Sequence, residues 1–247
     1  MNSPTKDRVK GTFQSASGVR EMFDRVAPRY DLLNHLLSMN IDRLWRSAVA
    51  REFRDLLARA DARALDLCCG TGDLTLALHD TGPAQVIGAD FCHPMLVLAA
   101  SKFAKAAERR PPPVLEADAL QLPFPDSSFD LITVAFGFRN LADYDAGLRE
   151  MFRLLRPGGR VGILEFSEVT GLLGPLYRFY FSRILPRLGS LISHHSGAYL
   201  YLPASVAQFL APDELAERMR AVGFSEVSYR RFTFGIACLH MGTRRIV

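Results

Sequence analysis

"LDLCCGTGDLTLAL", residues 65–78, passes from an apolar run through a glycine turn into a second apolar run within fourteen residues. Its first half continues back to Arg63 as "RALDLCC", all apolar after the arginine except for Asp66. That is the pattern of a parallel strand covered on both faces. Gly70-Thr71-Gly72 then turns the chain, and the spacing predicts a helix over Asp73–His79. A strand ending in Gly-x-Gly before a helix leaves backbone N–H groups exposed and lets a ligand approach closely. The stretch therefore reads as the opening unit of an α/β sheet with a ligand-holding turn.

The same alternation continues outward. "QVIGAD" (85–90) reads as a strand and Pro94–Glu108 as a long helix, and "PPPVLEAD", "FDLITVAF" and "RVGILEFS" supply three further strands. A helix over Asp143–Leu155 puts Leu148, Met151, Phe152 and Leu155 on one face, and "RPGG" is expected to end it. "PDELAERMRAVGF" is a helix with Pro212 near its start and Gly223 near its end. "FSEVSYRRFTF" and "IACLHMGTRRI" read as a hairpin turning at Gly235. The expected fold is α/β, a doubly wound and mostly parallel sheet with a C-terminal antiparallel hairpin. Helical spacing from Val19 to about Leu57 adds an N-terminal helical cover. The chain reads as one domain, 1–247, in four parts. These are a tail and cover (1–60), a cofactor-binding core (61–168), a hydrophobic helical insert (169–210), and a final helix with the hairpin (211–247).

Composition narrows the function. Hydrophobic residues make up 49% and charged residues 23%, with a formal net charge of only +4. There is no dense Lys/Arg run, which argues against a nucleic-acid partner. The N-terminus lacks the pattern of a signal peptide and no apolar stretch reaches the length of a membrane span. A cytoplasmic protein is expected, with peripheral contact at the inner face of the membrane open. Cys68, Cys69, Cys92 and Cys238 contain no CxxC pair, so reduced thiols and no metal are expected. The insert "GLLGPLYRFYFSRILPRLGSLI" is apolar but carries Arg178, Arg183 and Arg187. It reads either as an amphipathic surface for a lipid tail or headgroups or as a core-packed helical lid.

Two neighbours of the glycine turn indicate its ligand. The third glycine of a dinucleotide fingerprint is replaced by Thr75, and Asp66 sits in the strand just before the turn. A carboxylate there opposes a pyrophosphate and attracts an amino group or a sulfonium. Asp90 ends the next strand, eighteen residues after Gly72, where an acidic residue reaches ribose hydroxyls. An adenosine ligand without phosphates and with a cationic end fits, so S-adenosylmethionine is expected in preference to NAD. Gly70, Thr71 and Gly72 would cradle it, with Asp118 and the Ala119 backbone beside the adenine.

With "FDRVAPRYDLLNHLLS" and Trp45, "LDLCCGTGD", "DALQLPFPDSSFD", "FGFRNL", "LRPGGRVGILEFS", "YLYLPASV" and "LHMG" in this order, the chain resembles the ubiquinone/menaquinone biosynthesis C-methyltransferases. The resemblance runs from about Val19 to Arg245 and implies a class I methyltransferase acting on a ring carbon of a polyprenylated quinol. It supports Thr71, Asp90, Asp118 and Ala119 as cofactor contacts. Three positions depart from the family pattern: Asp42, Leu33 and Ala135. Conversion of demethylmenaquinol to menaquinol is the expected reaction. Ubiquinone-pathway methylation, an O- or N-methyltransferase and a scaffold subunit of a quinone-synthesis complex are the alternatives.

Such chemistry needs a quinol oxygen that has wholly or partly lost its proton. Arg139 in "FGFRN" follows the fourth strand, at the edge where this fold binds ligands. Arginine stays protonated, so its expected catalytic role is electrostatic, with Asn140 donating beside it; the alternative is an arginine that ties the loop to a carboxylate. Tyr30 and Asn34 in the N-terminal cover, and Tyr199 and Tyr201 further on, are expected to contact the substrate.

Overall fold

The computed structural model describes residues 40–106, 110–167 and 205–245. Seven strands form one sheet: β1 (Arg63–Leu67), β2 (Gln85–Asp90), β3 (Val114–Glu116), β4 (Phe129–Ala135), β5 (Leu155–Phe166), β6 (Phe224–Phe232) and β7 (Ala237–Arg244). The helices are α1 (Ile41–Glu52), α2 (Arg54–Leu57), α3 (Asp73–Thr81), α4 (His93–Ala106), α5 (Tyr144–Leu154) and α6 (Pro212–Val222). The spatial order is β3-β2-β1-β4-β5-β7-β6. The first five strands pair in parallel, and β7 runs antiparallel between β5 and β6. The chain builds outward from β1 to β3 and then returns to lay β4 against the other side of β1. The expected doubly wound sheet with its C-terminal hairpin is the observed one.

The apolar strands follow from this arrangement. Leu65, Leu67, Ile132 and Val134 point to one face, where they pack with Leu148, Met151, Leu215 and Met219 of α5 and α6. Their neighbours Ala64 and Leu131 point to the other, with Trp45, Val49, Leu74 and Leu78 of α1 and α3. Successive strand side chains alternate faces, so a strand roofed by helices on both sides has no polar face to spare. Gly223, at φ +119, closes α6 in the left-handed conformation that a β-carbon disfavours.

Of the boundaries that differ from the sequence reading, two are the largest. α5 stops at Leu154 because Leu155 is already extended and pairs with Phe129 of β4. "RPGG" is therefore not a helix cap. The next pairing is Arg160 with Leu131, so residues 156–159 bulge out of β5 opposite Asp130. Arg156 Nη1 holds that carboxylate at 2.7 Å. The helical run from Ile41 also breaks, at Phe53, whose buried ring packs where a β-carbon on Gly162 would come within 2.5 Å of it. Among the described residues, no helix is long and apolar enough to cross a membrane.

Candidate active site

The reversal of strand order between β1 and β4 opens a crevice at the carboxyl ends of the strands, where α/β sheets bind ligands. The glycine turn lies at its base. Gly70 and Gly72 adopt φ +55 and +82, and the Gly72 N–H donates to Cys69 O at 2.9 Å. A β-carbon on Gly72 would come within 2.5 Å of Phe103 Cε1 and closer still to Cζ. This glycine therefore lets α4 close onto the turn.

Asp90, at the end of β2, braces the turn from the side. Its Oδ2 accepts from the Gly70 N–H at 2.8 Å and its Oδ1 from the Cys92 N–H at 2.9 Å. Burial pushes its pKa up, and the backbone donors oppose the shift. Each oxygen of a carboxylate has two acceptor positions, so both retain capacity for a ligand hydroxyl. The Asp90 carbonyl also accepts from Ala117 N–H at 3.0 Å, which ties the third segment to the same corner. There the exposed Asp118 accepts from Leu120 N–H at 2.9 Å, while Ala119 is buried.

Asp66 lies beneath the turn, 1% exposed. Thr75 Oγ1 donates to it at 2.6 Å and Thr133 Oγ1 at 3.1 Å. Burial pushes its pKa up to about 7; the two hydroxyls and Arg46 act against the shift, and the Asp90 charge adds to it. Enclosed in this way, Asp66 ties β1 to Thr75 of α3 and Thr133 of β4 beneath the turn and is not an exposed acceptor. Thr71 is buried, and its hydroxyl accepts from Lys102 Nζ at 3.3 Å, the same ammonium that pairs with Asp73 at 2.6 Å.

The "FGFRN" loop meets the turn directly. Phe136 leaves β4 with φ +60, and a β-carbon on Gly137 would collide with that of Cys68. Phe138–Asn140 then form a single 3₁₀ turn. Arg139 points inward. Its Nη1 donates to Glu165 Oε2 at 3.0 Å, to Oε1 at 3.2 Å and to the Phe136 carbonyl, and its Nε donates to Ser205 Oγ at 3.3 Å. The Arg139 backbone N–H adds a bond to Glu165 Oε1 at 3.1 Å. The side chains of this pair are 6% and 1% exposed. One arginine thus joins the end of β4, the end of β5 and the segment that begins at Ser205. The tie to a carboxylate raised as the structural alternative is present. Asn140 is half-buried at the loop's end, and its N–H donates to Gly137 O at 3.0 Å.

The structure brings Asp66, Gly70, Thr71, Gly72, Asp90, Asp118, Ala119, Arg139 and Asn140 to one edge of the sheet. Tyr30, Asn34, Tyr199 and Tyr201 lie outside the described residues, as do most of the insert and most of the N-terminal cover. Sequence reasoning missed Glu165, Thr133 and the bond from Thr75 to Asp66. Their signal was a polar residue inside an otherwise apolar strand or helix face, which implies a buried partner. It also missed the packing of Trp45, Phe136 and Phe166, whose rings lie 4.6 to 6.2 Å apart beside the loop. Cys68 lies where loop and turn touch. Burial pushes its thiol pKa well up, and the charges of Asp90, Asp66, Glu165 and Asp118 push it further.

Comparison with known proteins identifies the family of the chain. The chain is 54% identical over 227 residues to a demethylmenaquinone methyltransferase of Thermus thermophilus, covering 90% of this chain and all of that one. It is 47% identical over 248 residues to a demethylmenaquinone methyltransferase of Deinococcus radiodurans, covering 99% and 100%. A ubiquinone/menaquinone biosynthesis C-methyltransferase UbiE of Geobacter sulfurreducens is 42% identical, covering 92% and 88%. Among solved structures, the [4+2]-cyclase SpnF shares the fold with a TM-score of 0.69 at 17% identity, covering 96% of this chain and 97% of that one. A SAM-dependent methyltransferase of Thermotoga maritima does so with a TM-score of 0.63 at 19% identity, covering 91% and 99%. The model of the ubiE/COQ5 methyltransferase family matches residues 10–244, and the chain belongs to that family.

Proposed function

We propose that the protein is a single-domain methyltransferase that uses S-adenosylmethionine to methylate a ring carbon of a polyprenylated quinol, converting demethylmenaquinol to menaquinol. The observation that carries this reading is the contact of Gly137 with Cys68, which joins the loop assigned to the acceptor to the turn assigned to the cofactor. The donor set fits S-adenosylmethionine. Carboxylates surround the turn, and Lys102, the ammonium that reaches Thr71, is paired with Asp73. That environment suits a cation and opposes a pyrophosphate. When bound, the cofactor supplies an electrophilic methyl group on a sulfonium.

The roles of the chain's own residues follow. Asp90 accepts the ribose hydroxyls while the Gly70 and Cys92 N–H groups hold its carboxylate in place. Asp118 and the Ala119 backbone flank the adenine, Gly70, Thr71 and Gly72 form the floor, and Asp66 lies enclosed below it, adding negative charge only as it ionises around pH 7. A phenol titrates near ~10, so the site has to stabilise the quinol oxygen as it loses its proton. Arg139 and Asn140 serve that purpose, Arg139 through a fixed positive charge and Asn140 as a donor. Holding the reacting carbon in line with the methyl group supplies much of the acceleration. Tyr30, Asn34, Tyr199 and Tyr201 complete the substrate side. The prenyl tail brings the substrate from a membrane, which agrees with peripheral contact through the apolar insert and its arginines.

The test is incubation with labelled S-adenosylmethionine and reduced demethylmenaquinones or ubiquinone precursors, with mass analysis of the products. A ring-carbon methyl on demethylmenaquinol is expected. Label on oxygen or nitrogen, preferential methylation of the ubiquinone precursor, or no transfer by folded protein would overturn the reading.

A further inference from the structure

The ion pair behind the "FGFRN" loop has an electrostatic consequence for the cofactor. A guanidinium cannot lose its proton, so wherever Arg139 sits it brings a full positive charge. It sits at the crevice that, on the reading above, receives a sulfonium cation. Two strand spacings separate β1 from β5, which places the end of β5 roughly 10 Å from the glycine turn. At that range in a protein interior, an uncompensated charge has a substantial effect on another.

Glu165 is placed to compensate. It stands at the carboxyl end of β5, enclosed, with both oxygens on Arg139 Nη1 and with backbone donors from Arg139 at 3.1 Å and Phe166 at 3.1 Å. Among the described residues it is the carboxylate that pairs with Arg139. Its field also reaches Cys68 at the edge of the turn, together with those of Asp66, Asp90 and Asp118. Ser205 Oγ and the Phe136 carbonyl hold the same guanidinium without carrying charge, so among these partners Glu165 supplies the counter-charge.

We propose that Glu165 is a positioning residue that cancels the charge of Arg139 toward the cofactor, so that the crevice accepts the cationic S-adenosylmethionine without repulsion from the arginine the acceptor requires. The inference rests on the assignment of S-adenosylmethionine to this site. S-adenosylmethionine carries one more positive charge than S-adenosylhomocysteine, while the two share the adenosine and amino-acid ends. The ratio of their affinities therefore reads the electrostatics of the crevice and cancels changes in shape around the adenosine and amino-acid ends that they share.

The experiment is calorimetric titration of the full chain and its variants with each ligand. E165Q keeps the size and hydrogen-bonding ability of the side chain and removes the charge. It is expected to weaken S-adenosylmethionine about tenfold relative to S-adenosylhomocysteine. R139Q leaves Glu165 with its two backbone donors, which favour the ionised carboxylate, and is expected to shift the ratio the opposite way. R139Q removes the opposite member of the pair, so it decides the matter if E165Q does not fold. Equal weakening of both ligands in E165Q, or an unchanged ratio in R139Q, would overturn the proposal and leave the bridge as a fastener. Wild-type protein that binds neither ligand would instead overturn the cofactor assignment.

Discussion

Replacing Gly72 with alanine separates two explanations of the glycine turn. If the glycine exists to admit a ligand, the variant folds normally and binds poorly. The structure gives a different reason: the position lies at φ +82, and the added carbon enters the space of the Phe103 ring, which is fully buried. Left-handed backbone costs an L-residue about 1–2 kcal/mol. Forcing a methyl group against a core ring that cannot withdraw adds about 1–3 kcal/mol, and the stiffer unfolded chain returns about 0.4–1 kcal/mol. The expected net loss is about 1–5 kcal/mol, a large share of the ~5–15 kcal/mol that holds a typical domain. Urea denaturation of wild type, Gly72→Ala, Phe103→Leu and the double variant would measure it. Shortening Phe103 removes the overlap but not the backbone strain, so the double variant is expected to be more stable than the two single effects added together. Additive effects, or a Gly72→Ala protein as stable as wild type, would refute the packing argument and return Gly72 to the ligand alone.

Asp66, with a folded-state pKa of about 7 against ~3.9 in an unfolded chain, holds its proton more tightly when folded. Its contribution is therefore fully present below about pH 4 and is lost as pH rises through 7, by about 4 kcal/mol in all. Asp66→Asn should flatten stability between about pH 4 and 7, and a slope unchanged from wild type would exonerate Asp66. Asp90→Ala is expected to cost about 1.5–3 kcal/mol of S-adenosylmethionine binding, measured by calorimetry on folded protein, and unchanged affinity removes it from the site. Arg139→Ala leaves Glu165 buried without its partner and should lower stability by about 3–5 kcal/mol in urea, whereas replacing both residues with methionine should recover most of it. A loss below 1 kcal/mol in the single variant would show that the pair is not enclosed as described.

Much of the fold was legible because parallel strands roofed on both faces carry an unmistakable apolar pattern. "QVIGAD" coincides with β2, and Asp143, expected at the start of its helix, caps α5 by accepting from Ala146 N–H at 2.9 Å. "RPGG" misled because its residues suit a helix end and a strand bulge equally. What decides between them is Leu155, already committed to Phe129 across the sheet, and that pairing is not local. The Phe53 ring at the helix break likewise packs against a distant residue, Gly162 of β5.

The site was legible to a different degree on its two sides. Asp90 could be located by counting from the turn, because the distance along one βαβ unit is fixed by the lengths of its strand and helix. Arg139 could be placed at the correct edge for the same reason, but spacing carries no information about which way a side chain turns. Its direction depends on Glu165, twenty-six residues away and on the neighbouring strand. Glu165 itself was visible as a carboxylate inside "GILEF", where an unpaired charge would be prohibitively costly to bury. The strand order that sets β5 beside β4 puts the two motifs next to each other. A carboxylate in an apolar strand and an arginine just past the adjacent parallel strand then become candidates for a single buried pair. For this chain, that rule would have turned Arg139 inward from the sequence and made its charge a property shared with Glu165.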